Sequence, residues 1–354
     1  MKTLYLFPLL FLFLSSCIEP IKFNIDRQGG QLVVDGSISN EGGLQRIKLS
    51  TTTGSDRIPT PVTGAQVKIF DDMGLSEDYV TDFVDPGTYI LLGHTIQGTI
   101  ERTYYIEIVL FDGRTYRSVP EKIRPQPGEM EAISYDFSEK QEVNEYAVIL
   151  ENTFIDVFID VDLNEVSEEP FFLRWDVEEV FLLSPTDFPD PFAAVPPPCY
   201  VYVYPSATDL NLFDGSKSNA TYLDEVQVAS QKLDYGFREK HYFSVYQKSL
   251  GREAFEYWKK VDQLLSNAGN VFDTPPAPIP GNIYNINNPE EEVLGYFEAV
   301  SSSVIRFNTY RSDIPLDQIL ECKYIPSKPY QSYPDYCLNC LTRRNSTYER
   351  PPFF

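Results

Sequence analysis

The sequence predicts a mainly β protein: an N-terminal immunoglobulin-like β-sandwich, then a second β-rich domain with one prominent amphipathic helix. Three observations lead there. Strand-length runs such as Leu32-Val33-Val34-Asp35-Gly36-Ser37-Ile38, Arg46-Ile47-Lys48-Leu49-Ser50 and Ala65-Gln66-Val67-Lys68-Ile69-Phe70 alternate or run apolar between turn formers. An Asp112-Gly113 pair separates the strand-like residues 104–110 and 115–118, the strongest short-range hairpin signal. Only residues 249–268 show apolar side chains recurring at three- and four-residue spacing.

Ahead of the first strand lies an address. Lys2 gives a positive start, Leu4 to Leu14 form an apolar run broken only by Pro8, and Ser15-Ser16-Cys17 closes it. The run is shorter than the roughly 20 apolar residues a bilayer span needs, and it ends in small residues suited to a signal peptidase. The pattern reads as a lipoprotein signal peptide over residues 1–16. Cys17 then becomes the first residue, acylated on its sulfur and amine, and residues 17–24 form a tether.

A chain of 354 residues exceeds one typical domain. With 42% hydrophobic side chains, 24 Tyr and 24 Phe among them, it can fill a core and is not a disordered polymer. Its net charge of −23 repels phosphate backbones and anionic lipid headgroups. Nucleic acid is therefore not an expected partner, and membrane attachment falls to the lipid.

In the sandwich, residues 25–127, strand runs alternate with Glu41-Gly42-Gly43, Pro59-Thr60-Pro61, Asp72-Met73-Gly74 and Asp85-Pro86-Gly87. Glycine supplies the positive φ of tight turns, and proline fixes φ while removing a donor. Seven or so short strands spaced this way suit a sandwich, although the cysteine and tryptophan spacing of antibody domains is absent. Arg124-Pro125-Gln126-Pro127-Gly128 marks the boundary.

The second domain spans residues 128–323. A long run at 147–161 has an expected antiparallel partner at 171–182, both rich in aromatic and β-branched side chains. The proline-rich stretch from Pro185 to Pro198 cannot join a ladder. Strand text resumes at 200–204, 221–228 and 242–246. The helix at 249–268 has Ser249 as its expected cap and Ala254, Phe255, Trp258, Val261, Leu264 and Leu265 as its apolar stripe, with Trp258 read as core. Residues 271–289 read as an ordered, packed loop, followed by two strands at 293–300 and 303–307. A Cys/Pro/Tyr-rich tail covers 324–354.

Chemistry-bearing residues are few. Cys199, Cys322, Cys337 and Cys340 form an even set in an exported chain, so disulfides are expected, with all three pairings open. Cys337-Leu338-Asn339-Cys340 lacks the second pair that a zinc site needs. His94 and His241 lie far apart, in no metal or nucleophile motif, and read as structural or surface groups. Asp160, Asp162 and Asn164 alternate as calcium ligands do, but Glu165 stands where such a loop needs glycine, so a solvated hairpin tip is favoured. Phosphate loops, nucleophile elbows and zincin motifs are absent. The expectation is a non-enzymatic protein with no cofactor beyond its covalent lipid.

Several segments together resemble one family. They are Cys17-Ile18-Glu19-Pro20, the strand at 32–38, Val62-Thr63-Gly64-Ala65-Gln66-Val67 and Glu253-Ala254-Phe255-Glu256-Tyr257-Trp258-Lys259. With them go Phe272-Asp273, Pro280-Gly281-Asn282-Ile283, Asn287-Asn288-Pro289 and Val293-Leu294-Gly295-Tyr296-Phe297. The chain resembles the Bacteroidota lipoproteins classed as domain of unknown function 4249 (DUF4249) over nearly its whole mature length. Arg350-Pro351-Pro352-Phe353 replaces the family's usual Lys-Pro-aspartate-aromatic ending. The resemblance implies an outer-membrane lipoprotein, and display at the cell surface rather than the periplasmic face is the expectation for this chain. It also implies an accessory or ligand-binding subunit beside a TonB-dependent (SusC-like) transporter in nutrient uptake. It brings no catalytic residues. The alternatives are a surface glycan-active enzyme and a structural or assembly lipoprotein of the outer membrane.

Overall fold

The computed structural model describes residues 30–53, 58–143, 146–163, 170–186, 196–204, 210–267, 278–315 and 322–354. The leader, Cys17, the tether and Asn164 lie outside them. Among the described residues the chain is mainly β, arranged in three sheets with two α-helices.

An 11-stranded sheet forms the spine. Its order runs Ser346–Thr347, Cys199–Val203, Phe172–Leu183, His241–Leu250, Leu294–Thr309, Leu32–Ser39, Gln45–Thr51, Thr88–Leu91 and Val80–Thr81, with two short strands attached at its sides. A six-stranded sheet carries Ile283–Asn285, Thr115–Ser118, Thr103–Val109, Gln66–Asp71 and Ser76–Asp78, with Glu121–Lys122 alongside. The third sheet holds Glu129–Val143, Ile149–Asp162 and Tyr222–Lys232.

The six-stranded sheet packs on the 32–91 side of the spine as a sandwich. Val34, Ile38, Ile47, Leu49, Val67, Ile69, Ile106 and Ile108 are buried in one shared core. Buried residues alternate with partly exposed ones along Gln66–Asp71 and Thr103–Val109, the period-two pattern that makes those strands legible. Phe297 and Ala299 of the Leu294–Thr309 strand, together with Ile283, complete this core from far along the chain.

Leu294–Thr309 is one 16-residue strand, not the two expected at 293–300 and 303–307. Its first half pairs in parallel with Leu32–Ser39, through Val34 with Gly295 and Ile38 with Ala299. From Ser301 onward it pairs antiparallel with His241–Leu250. The spine thus runs without a break across the boundary expected at residue 127. That boundary is itself stitched down: Gln126 Nε2 donates to the carbonyls of Gln247 and Ser301, and Gln247 Nε2 donates to the Gly128 carbonyl.

The expected pairing of 147–161 with 171–182 is corrected. Ile149–Asp162 hydrogen-bonds to Glu129–Val143 and Tyr222–Lys232, whereas Phe172–Leu183 pairs with His241–Leu250 and Cys199–Val203. The two runs meet instead face to face, Ile155, Val157, Ile159 and Val161 packing in one core with Leu173 and Trp175. Their apolar faces stack on each other, and neither strand supplies the other's ladder hydrogen bonds.

The helix occupies Arg252–Asn267. Ser249 does not cap it; that residue is buried in the His241–Leu250 ladder opposite Leu173 and Ser301, where its backbone groups are committed. Helix residues Ala254 and Phe255 bury against Phe172, Leu250 and Val300, and the Phe255 and Phe172 rings stack at 4.6 Å. Two disulfides, Cys199–Cys340 and Cys322–Cys337, resolve the open pairing, so Cys337 and Cys340 are not joined to each other. Their sulfurs sit in a small core with Phe181, Val201 and Tyr333, which holds the tail on the sheet. The final Phe353 and Phe354 rings pack on Tyr242.

Candidate functional site

On the helix-bearing face of the spine, alternate residues are charged rather than apolar. Arg174, Asp176 and Glu178 project from one strand, Lys248 and Tyr246 from the next, and Ser302 and Glu298 from the closing strand. Asp35 and Ser37 follow on the opening strand, then Arg46 and Lys48. These residues floor a groove of about 690 Å³, with Trp258 of the helix on one wall and the Glu41-Gly42-Gly43-Leu44 turn, Asp85 and Thr88 on the other. A volume of this size suits a small-molecule or short oligomeric ligand.

The floor is an ion-pair lattice. Arg174, 5% exposed, gives Glu298 a two-pronged contact at 2.7 and 3.1 Å and grips Asp176 through Nε at 3.0 Å. Lys248 Nζ reaches Asp176 at 2.6 Å. The Arg174 guanidinium lies over the Trp258 ring, 4.5 Å from its centre, and the indole N–H donates to Glu298. Burial works against the charge of both Arg174 and Asp176. Glu298 and Asp176 outweigh it for Arg174 and raise its pKa, while Arg174 and Lys248 outweigh it for Asp176 and hold its carboxyl at about 2. Both groups stay charged at neutral pH.

Beside this lattice stand carboxyl groups of another kind. Asp35, Glu41 and Glu178 have pKa values raised first by burial, and for Asp35 next by the negative charge of Glu298. Asp35 reaches solvent yet sits among protein atoms in the concave floor. Glu178 accepts from the Tyr246 hydroxyl at 3.3 Å.

Residues singled out in the sequence fall elsewhere. Asp160 and Asp162 lie on the Ile149–Asp162 strand, and Asp160 accepts from the Glu225 backbone N–H at 2.9 Å. Among the described residues no three His, Cys, Asp or Glu side chains converge as a metal site. His94 is exposed, whereas His241 is buried, stacked 4.0 Å from the Phe237 ring. His241 Nδ1 faces the Gly236 carbonyl at 3.2 Å and Nε2 faces Glu179 at 2.9 Å. Both partners offer acceptors, and the pair lies on the face of its strand opposite Glu178. Trp258, read as core, is half-buried at the groove wall. Sequence reasoning missed Arg174, Asp176 and Glu178 as a group. Their alternation within an apolar strand, Arg174-Trp175-Asp176-Val177-Glu178, was the available signal.

The family model described as "Domain of unknown function (DUF4249)" matches residues 18–306. No curated protein matches. Among solved structures, one titled "Biofilm associated protein - BSP domain" aligns with 83% of this chain and 61% of its own length, at 7% identity and a TM-score of 0.16. The chain thus spans less than two thirds of that protein, and so distant a likeness says nothing about function.

Proposed function

From the premise that the chain belongs to the DUF4249 family, we propose that it is a non-enzymatic, ligand-binding lipoprotein of a Bacteroidota outer membrane. It works beside a TonB-dependent (SusC-like) transporter in nutrient uptake and displays the groove at the cell surface. The observation that carries the ligand-binding reading is the groove itself. An open concavity of about 690 Å³ has a floor pre-organised by Arg174, Glu298, Asp176 and Trp258, so a ligand meets fixed charges without ordering them first. The charged groups that pre-organise the floor are paired with one another, which supports binding over turnover.

The leader and Cys17 support lipid anchoring. Cys17→Ala should stop incorporation of labelled palmitate and release the protein from membranes; continued acylation would refute the anchor. Crosslinking in intact cells should recover a β-barrel transporter, and its repeated absence would sink the accessory role. Protease shaving of whole cells should cleave the protein, since it faces outward.

A further inference from the structure

We propose that the outer edge of Glu129–Val143 receives an extended segment of a partner protein, rich in lysine or arginine, which adds to the three-stranded sheet as a fourth strand.

Glu129–Val143 is the outermost strand of its sheet, and among the described residues only Ile149–Asp162 ladders onto it. After one irregularity between Met130 and Ala132, the pairing runs in step from Ala132 opposite Asp160 to Val143 opposite Ile149. Its 15 residues make an edge roughly 50 Å long. An antiparallel strand turns the backbone groups of alternate residues toward its neighbour and the others away. The Phe137 N–H donates at 2.7 Å to the Asp136 carboxylate, and on the neighbouring strand the Thr153 carbonyl serves Leu233 on the far side. The odd-numbered residues from Ile133 to Val143 are therefore the ones whose N–H and C=O groups face outward.

Folded proteins blunt such edges by shortness, by bulges or by a covering group. The outermost strands of the other two sheets are short: Ser346–Thr347 and Val80–Thr81 have 2 residues, Ile283–Asn285 and Ser76–Asp78 have 3. On the opposite edge of the three-stranded sheet, the pairing of Tyr222–Lys232 shifts register twice, and its Val228 carbonyl accepts from Asn211 Nδ2 at 2.6 Å. Past Ala132, Glu129–Val143 has neither device. A row of backbone donors and acceptors at strand spacing is matched by another peptide backbone, so the occupant is a strand.

Charge selects which strand. Glu129, Glu131, Asp136, Glu139 and Glu142 stand on this edge against Lys140 alone. Lys140 is held by Asp156 at 2.9 Å and Glu142 by Lys232 at 2.8 Å. Among the described residues the other four acids enter no ion pair. A second copy of this chain would lay two such acidic rows side by side, whereas a cationic segment meets opposite charge. Where the edge ends, Val143 and Ile149 stand opposite each other, both exposed, and an apolar residue of the same segment would cover them. The edge is also separate from the groove: Trp175 faces the core shared with Ile155 and Val157, while Arg174 and Asp176 project from the other face of that strand.

Fluorescence anisotropy of a labelled ten-residue peptide alternating threonine and lysine, titrated with the full chain in detergent, tests this. The peptide should bind. Methylating alternate backbone nitrogens keeps its charge and removes ladder donors, and should weaken binding at least tenfold, as should replacing its lysines by glutamates. Gln141→Pro removes one outward N–H without a change of charge, which an edge strand tolerates; it should cost at least fivefold, while Gln141→Ala stays within twofold. Glu131→Gln with Glu139→Gln should weaken binding at least threefold, and Glu290→Gln with Glu349→Gln, equal in charge but away from the edge, should stay within twofold. Thermal melting verifies that each variant is folded, and if Gln141→Pro is not, the methylated peptide on the unaltered chain decides alone. Equal affinity for the parent and methylated peptides, or no loss in a folded Gln141→Pro, would overturn the proposal by reducing it to surface charge. Failure of the parent peptide to bind overturns it as well. A dimer seen in sedimentation and abolished by Gln141→Pro would overturn it by giving the edge to a second copy.

Discussion

Glu121 and Arg174 are both buried charges, yet they answer to opposite rules. Glu121, 7% exposed, accepts from the Tyr296 hydroxyl and, at 3.3 Å, from Asn282 Nδ2. Burial raises its pKa from 4.5 to about 6, and the hydrogen bonds only limit the rise. The folded state therefore binds the proton more tightly than the unfolded chain. Stability is fullest below pH 4.5, falls as pH rises through about 6, and above that carries a deficit of about 2 kcal/mol. Glu121→Gln keeps an acceptor for both donors, so its denaturant midpoint at pH 7.5 should rise and the slope between pH 4.5 and 6 should flatten. An unchanged slope would show that another group causes it. Arg174 is the converse case. Arg174→Met leaves Glu298 and Asp176 buried without their main cation and should cost about 3–5 kcal/mol, as the loss of one partner from a buried pair does. Acidification should recover part of that loss by protonating the orphaned carboxyls; equal destabilisation at pH 4 and pH 7.5 would contradict the pairing.

At the scale of elements, the parallel junction of Leu32–Ser39 with Leu294–Thr309 turns on a glycine. Gly295 has φ +89°, and a Cβ there would come within 1.9 Å of the Val34 carbonyl oxygen. Gly295→Ala should therefore cost well over the ~1 kcal/mol of an unstrained exchange and weaken the protection of Val34 and Tyr296 amides against hydrogen exchange. Unchanged protection would mean that the junction tolerates a side chain. The sequence shows this glycine between strand-like residues, where a bulge or close approach is the ordinary reading, but it does not show the partner. The same limit explains the other misreadings. Strand existence was legible from alternation at Gln66–Asp71 and Thr103–Val109. Glu129–Val143 passed unread although Ile133, Tyr135 and Phe137 alternate in it, because charged residues flank that short stretch and Ile133 and Phe137 are only partly buried. Ser249 carries a capping side chain, but a ladder on both sides claimed its backbone. The groove residues escaped notice because charges alternating on a half-covered strand look like a solvated face until the facing helix and turn are in place.

For the whole molecule, the question is whether the sandwich read at residues 25–127 is a domain in the folding sense. Its strands are local, which is why composition and turns expose it. Its sheet is not. The neighbour of Leu32–Ser39 on the side away from Gln45–Thr51 is Leu294–Thr309, and Ile283–Asn285 pairs with Thr115–Ser118. Phe297 and Ala299 fill the same core as Ile38 and Ile47. Removing them opens a sheet edge and leaves a cavity, and each buried large side chain lost from a core costs on the order of 2–5 kcal/mol against a total stability of only about 5–15 kcal/mol. A fragment of residues 30–127 should accordingly fail to melt cooperatively, whereas adding residues 278–309 as a separate peptide should restore a transition. The intact chain should unfold in one calorimetric step, because the closing strand belongs to both halves. A cooperative melt of the 30–127 fragment alone would make it an autonomous domain. The groove lies across this shared strand, with Asp35 on one side and Lys248 on the other, so the same continuity that denies the sandwich independence holds the two walls of the site in register.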